Sequence, residues 1–132
     1  MAGEFVDSNV LLYVTSADVA KADRAERLIL RGLTVSVQVL NEVTNVSSKK
    51  FKRAWPEVND LLDRLAAVLD VHPLTESMHR EARRIADRYR MQWWDALLLA
   101  AALALDCDTL YSENMHAGLL VDGRVRIVNP FA

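Results

Sequence analysis

The sequence holds one cysteine, four glycines and three prolines in 132 residues. A single cysteine excludes an intrachain disulfide and any zinc site built on cysteine pairs, and Cys107, close to Leu105, reads as a small core hydrophobe. So few glycines and prolines leave little room for linkers, low-complexity tracts or many tight turns, and there is no internal repeat. The longest apolar run, Ala96 to Leu105, lies between Asp95 and Asp106 and falls well short of the ~20 residues needed to cross a bilayer. The first residues, Met1 to Asp7, lack the basic-then-apolar pattern of a secretory leader, so the expectation is a soluble cytoplasmic chain with no membrane partner. Excess charge is missing too: 16 basic residues stand against 18 acidic ones, a net charge of -2.

What remains is an apolar chain, 52% hydrophobic and 26% charged, which argues against intrinsic disorder. Its length fits one domain at the usual ~100–200 residues each, and such a domain buries roughly two-thirds of its unfolded surface without needing staples. Residues 1–132 are therefore expected to form a single domain.

Periodicity alternates between the two regular structures. Glu4-Phe5-Val6 reads as a strand ending at Asp7-Ser8-Asn9, residue types that cap helices, and Val10-Leu11-Leu12 opens one. Lys21 to Arg31 has helical spacing and Gly32 follows as a C-cap. Thr34 to Val39 alternates like a strand at first, but past Ser36 the spacing becomes helical through Val39, Val43 and Val46, so a short strand runs into a helix that carries Glu42. Pro56 opens another helix, Val68 to Val71 reads as a strand, and Thr75 to Arg90 as a helix. Trp93 to Leu105 is a nearly all-apolar helix and so a buried one. Thr109 to Tyr111 and Arg124 to Val128 are the last strands, with a tight turn at Asp122-Gly123. The alternation predicts an α/β fold with a mainly parallel central sheet of about five strands and helices on both faces.

In open parallel sheets, ligands bind beyond the carboxyl ends of the strands. Asp7 ends the first strand, Glu42 comes just after the second, and Glu113 follows Thr109–Tyr111. Asp95 is the one charged residue from Met91 to Leu105. Each acid has an ordinary structural explanation as a cap, a dipole partner or a surface residue. Gathered on one rim they repel, and burying them unpaired costs several kcal/mol. No lysine follows Lys52, so a lysine late in the chain cannot offset them, whereas a divalent cation can. Mg2+ and Mn2+ prefer carboxylate oxygens, and a pair of such ions can activate water against a phosphodiester. Other chemistries lack their signatures. There is no Walker A loop, no Gly-x-Gly-x-x-Gly and no Gly-x-Ser-x-Gly, and His72, His79 and His116 do not have zinc-ligand spacing.

Two basic stretches stand out against the near-neutral total. Lys49, Lys50, Lys52 and Arg53 fall within five positions, while Arg80, Arg84 and Arg88 share one face of a helix at i, i+4, i+8. Both are candidates for a phosphate backbone, and both are also what a solvated helix surface looks like. Trp93 and Trp94 read as core or interface aromatics, Trp55 as a packing residue ahead of a base-stacking one, and Met78, Met91 and Met115 as gap fillers.

The ordered set Phe5-Val6-Asp7-Ser8-Asn9, Glu42, Trp94-Asp95-Ala96 and Leu110-Tyr111-Ser112-Glu113-Asn114 resembles the PIN domain. The closing stretch through Val128-Asn129-Pro130-Phe131 is similar to the ribonuclease toxin of VapBC toxin–antitoxin modules. The resemblance covers essentially the whole chain. It implies a Mg2+- or Mn2+-dependent endoribonuclease that cuts structured RNA of the tRNA or rRNA class, forms a homodimer and is silenced by a cognate antitoxin. By similarity Asp7, Glu42 and Asp95 hold metal or orient the attacking water, with Ser8 supporting the first carboxylate and Ser112 standing nearby. One position departs from the family pattern: Asn114 stands where an acid is usual. Its amide oxygen can ligate a hard cation but brings no charge, and Glu113 substitutes only if its loop turns inward.

Two other classes compete. A phospho-receiver domain shares the size and the acidic pocket, but needs paired acids after its first strand and a late lysine. Here Ser8-Asn9 follows Asp7 and the lysines stop at Lys52. A non-catalytic binding module would treat Asn114 as the mark of a weakened site, and poor Mn2+ affinity would separate it from the enzyme.

Overall fold

In the computed structural model, which describes residues 2–132, strands and helices alternate as the periodicity predicts. Strand β1 (Gly3–Val6) is followed by α1 (Ser8–Leu12), which continues through a 3-10 turn over Tyr13–Thr15, and by α2 (Val19–Ile29). Strand β2 (Thr34–Ser36) passes directly into α3 (Val37–Asn45), extended by a π turn over Val46–Lys50. Then come α4 (Trp55–Val68), β3 (Asp70–His72), α5 (Glu76–Tyr89) and α6 (Trp93–Ala104). Strands β4 (Cys107–Tyr111), β5 (Leu120–Val121) and β6 (Val125–Val128) complete the order.

The strands form one sheet in the order β3-β2-β1-β4-β6-β5. Every neighbouring pair is parallel except β5 with β6. The expected count of about five strands is therefore corrected to six. The extra strand has two residues, too few for an alternation to be visible, and it exists because of the turn beside it. Asp122 and Gly123 both have positive φ, 52° and 66°, and the Arg124 amide donates to the Val121 carbonyl at 3.0 Å. That is a type I′ hairpin turn, the kind Asp-Gly favours. One boundary also moves: Val68 ends α4 instead of opening β3. Strand β2 stops at Ser36 and α3 begins at Val37, where the spacing changes.

Strand order determines where the helices lie. The chain steps outward from β1 to β2 to β3, then returns across the sheet to β4. Right-handed crossovers place α1 to α4 on one face and α5 and α6 on the other. The contacts agree: α5 packs on α6, and α3 touches α1 and α4. Helix α6 is buried continuously from Ala96 to Leu103, as its apolar sequence requires. Because the chain leaves β1 toward one edge and β4 toward the other, the crevice beyond their carboxyl ends is the switch point of the sheet.

One core holds the layers together. Phe5, Val35, Leu110 and Ile127 from the sheet meet Leu28, Val43, Ile85 and Leu99 from the helices. Cys107 belongs to it, and burial pushes its thiol up to about 11, the behaviour of an inert core residue. Trp55 and Trp94 do not: they are 59% and 61% exposed, which corrects the packing reading for Trp55 and takes Trp94 out of the core. Among the described residues no helix is long and apolar enough to cross a membrane.

Truncating α6 on its buried side is expected to be costly. Leu99→Ala should destabilise the fold by about 2–5 kcal/mol in urea unfolding. Trp94→Ala, on the exposed side of the same helix, should stay within roughly 0.5 kcal/mol of the parent.

Candidate functional site

Asp7 follows β1 directly and serves as the N-cap of α1, with a side chain that is buried. Its Oδ1 accepts from the Ser8 amide at 2.7 Å and from Ser8 Oγ at 3.4 Å. Its Oδ2 accepts from Asn9 Nδ2 at 2.9 Å and from Ser112 Oγ at 2.8 Å. Ser112 lies just past β4, and the Asp7 amide donates to the Tyr111 carbonyl at 2.9 Å, so the two strand ends are joined at the switch point. Burial raises the pKa of Asp7, and the hydrogen bonds from Ser112, Ser8 and Asn9 oppose the shift without reversing it.

Asn9 carries more of this geometry than its place in a capping sequence suggests. Its Nδ2 also donates to Ser112 Oγ at 3.2 Å, and its Oδ1 accepts from the Glu113 amide at 3.1 Å. One side chain thereby ties the start of α1 to the segment after β4. Gln38 is the second residue the sequence reading passed over. Its Nε2 donates to Glu42 Oε1 at 3.1 Å and to the Trp94 carbonyl at 3.1 Å, binding α3 to the first turn of α6. The available clue was its place one helical turn before Glu42.

Glu42 reaches the same crevice from α3, where Ser8 Oγ donates to its Oε2 at 2.9 Å. Ser8 therefore contacts both Asp7 and Glu42. The Glu42 pKa is raised, first by burial and then by the charges of Asp7 and Asp95. Asp95, in the first turn of α6, is raised by burial and by Asp7, and it accepts no hydrogen bond from the protein. Three carboxylates from three elements thus feel one another's charge, and the groups that hold them are neutral.

Glu113 behaves differently. Its carboxylate pairs with Lys21 Nζ at 2.7 Å and accepts from the Tyr13 hydroxyl, and these partners hold its pKa below the usual carboxylate range. It lines the cleft but has a cation of its own. Asn114 also lines the cleft and is exposed; its amide N–H donates to Ser112 Oγ at 3.3 Å and its side chain makes no protein hydrogen bond.

The cleft around these groups has a volume of about 1240 Å³, above the roughly 300–1000 Å³ of small-molecule pockets. Asp7, Glu42 and Asp95 line it together with Lys50 and Arg53. Lys49 and Lys52 are exposed beside those two on the same turn. In the second basic stretch, Arg80 pairs with Glu76 at 2.6 Å, Arg84 pairs with Glu81 and Asp122, and neither lines the cleft, whereas Arg90 just beyond them does.

The donor set suits a hard divalent cation. All three acids offer oxygen, and among the described residues Asp95 has no hydrogen-bond partner and the donors to Asp7 and Glu42 are all neutral. Among the described residues no three His, Cys, Asp or Glu side chains stand close enough to cage an ion unaided. Mg2+ ordinarily retains several waters and needs only one or two carboxylates, so a loosely gathered set is compatible with it.

Residues 5–117 match the family described as the PIN domain. No curated protein matches the sequence at significant similarity. Among solved structures, a toxin–antitoxin complex from Klebsiella pneumoniae superposes with a TM-score of 0.73 at 17% identity, over 97% of this chain and 98% of that one. VapC20 of Mycobacterium tuberculosis, a Sarcin-Ricin loop cleaving toxin, gives 0.62 at 18% identity, over 82% and 87%. VapBC2 of Rickettsia felis, bound to a DNA fragment from its promoter, gives 0.63 at 18% identity, over 84% and 86%. At such identities the likeness is one of fold.

The electrostatics set a sign for stability. Asp7, Glu42 and Asp95 titrate above their ordinary values in the fold, so the folded chain binds more protons than the unfolded one across that window. Stability then falls as pH rises through the window, and the full penalty is present at neutral pH. Asp95→Asn removes one charge and sacrifices no hydrogen bond, so it should raise the melting temperature of the metal-free protein by a few degrees at pH 7. The gain should vanish as pH falls below the ordinary carboxylate value of about 4.

Proposed function

The chain belongs to the PIN domain family, and from that membership we propose that it is a divalent-metal-dependent endoribonuclease, the toxin of a toxin–antitoxin pair. The observation that carries this reading is the convergence of Asp7, Glu42 and Asp95 on the switch point, with no cationic side chain paired to any of them among the described residues.

Asp7, Glu42 and Asp95 would hold Mg2+ or Mn2+, with Asn114 contributing a neutral oxygen. When bound, the ion supplies positive charge that makes water a better nucleophile and offsets the charge developing on a phosphodiester. The protein's part is to fix those oxygens and to manage one proton. Ser8, Asn9 and Ser112 lock Asp7, while Ser8 and Gln38 lock Glu42. Asp95, free of protein donors among the described residues, would orient the attacking water and accept its proton. Lys50 and Arg53, with Lys49 and Lys52 beside them, grip phosphates flanking the scissile one. Arg80 and Arg84, already paired with acids, are left out of that grip.

RNA of the tRNA or rRNA class as substrate and an antitoxin as partner are supported by the neighbours, of which one is a Sarcin-Ricin loop cleaving toxin and two are toxin–antitoxin complexes. A second copy of this chain and a cytoplasmic setting complete the reading. Asn114 favours one alternative, a weakened site that binds a partner without cutting, because an uncharged amide lines the cleft where the family usually has an acid.

Purified chain free of antitoxin should cut RNA with Mg2+ or Mn2+ and not with chelator, and Asp7→Asn should abolish the cutting. Gln38→Ala and Ser112→Ala, which remove supports of the carboxylates, should lower the rate about 10–100-fold. Cutting that survives chelator or Asp7→Asn overturns the mechanism. A silent parent whose activity appears in Asn114→Asp identifies the weakened site instead.

A further inference from the structure

Phe51 lines the same cleft as Asp7 and Asp95 but has no part in the carboxylate chemistry. It is a large apolar side chain with 43% of its surface exposed. Its backbone is well anchored: the Phe51 amide donates to the Val46 carbonyl at 3.0 Å and the Arg53 amide to the Ser47 carbonyl at 3.1 Å. Between them Lys52 takes a left-handed conformation, φ 53°, which ends the π turn sharply. The Arg53 guanidinium lies 5.2 Å from the centre of the Phe51 ring. Lys49, Lys50, Lys52 and Arg53 flank it in sequence, Lys50 and Arg53 line the cleft with it, and none of the four forms an ion pair among the described residues, in contrast to Lys21, Arg80 and Arg84.

An exposed ring bordered by four uncommitted cations matches a ligand that is flat and apolar in one part and polyanionic in the next. Nucleic acid has that character, but only where a base is unpaired, because a base inside a duplex has both faces covered. We infer that Phe51 is a stacking platform for an unpaired nucleobase next to the scissile linkage, with Lys50 and Arg53 on the adjoining phosphates. The inference rests on the nuclease reading and deepens it by assigning a residue of this chain, outside the carboxylate set, to the base beside the cut. A protein segment seating an apolar side chain on Phe51 is the competing occupant, and the test separates the two.

The test is binding of end-labelled oligoribonucleotides to the full chain in chelator, single-stranded against duplex, by fluorescence anisotropy. The parent should prefer the single strand. Phe51→Ala should weaken that binding roughly 5- to 150-fold, the effect of losing one stacked base, and leave its salt dependence unchanged. Phe51→Trp should restore binding and Phe51→Leu should not. Arg53→Gln should flatten the salt dependence by about one phosphate contact. A 2-aminopurine placed in the strand should be quenched by the parent and by Phe51→Trp only. Since Phe51 is exposed, the melting temperatures of these variants should match the parent, which separates lost stacking from lost fold.

Equal binding of single strand by Phe51→Ala and the parent overturns the platform, as does equal affinity for duplex. Recovery by Phe51→Leu also overturns it, because a side chain without a π face would then suffice, as a protein occupant requires. Metal-dependent cutting that Phe51→Ala leaves intact together with its binding removes the platform and spares the nuclease. A parent that neither binds nor cuts RNA removes both.

Discussion

Everything at the rim of this sheet depends on a carboxylate buried without a countercharge. Asp7 sits where β1 ends, and all of its donors, from Ser8, Asn9 and Ser112, are neutral. Neutral hydrogen bonds fix the direction of a carboxylate but do not cancel its charge, so Asp7 still raises the proton affinity of Glu42 and Asp95. The fold must hold these groups together against their repulsion. It does so through shared donors: Ser8 serves Asp7 and Glu42, Asn9 serves Asp7 and Ser112, and Gln38 serves Glu42 and the start of α6. The continuously buried α6 anchors the third acid, so ordinary packing opposes the electrostatic cost.

Glu113 shows the same loop treating another acid in the opposite way. Lys21 meets it at 2.7 Å and also lies 4.7 Å from the centre of the Tyr13 ring and 5.4 Å from that of Phe131. Tyr13 and Phe131 contact each other edge to face, and Arg24 Nε donates to the Pro130 carbonyl at 3.1 Å. The last residues of the chain are thus fastened to α2 through the partners of Glu113. This acid works as a structural tie, and the contrast with Asp95, which has no protein partner, separates the two roles on physical grounds.

Much of this was legible in the sequence. The α/β class, the buried α6 and the Asp-Gly turn followed from periodicity and turn chemistry, which are local properties. Asp7 was legible because a capping residue after a strand has a defined place in a parallel sheet. The sixth strand was not, since β5 is too short to display a period and exists only by pairing with β6. The fate of Glu113 was hidden because Lys21 is far away in sequence, and the inference from a lack of late lysines overlooked an early one. Asn9 and Gln38 look like unremarkable polar residues in helical segments, and only the meeting of α1, α3, α6 and the segment after β4 reveals what they hold. The partners of Arg80 and Arg84 were hidden in the same way: a basic helix face reads alike whether or not Glu76, Glu81 and Asp122 stand beside it.

The cleft therefore has an acidic floor and a basic edge, and the two have different consequences for a polyanion. On the proposed nuclease reading, Lys49, Lys50, Lys52 and Arg53 would attract phosphates whether or not a cation is bound, whereas Asp7, Glu42 and Asp95 would repel them until one is. A chain of phosphates crossing both regions would be held at the edge and excluded from the floor in the metal-free state. Binding and cutting would then be separable. Exchanging Asn114 for an acid would deepen the floor without altering the edge, so on that reading the uncharged residue there would set the balance between them: it would lower the repulsion a phosphate must overcome and, by the same charge, the hold on a cation.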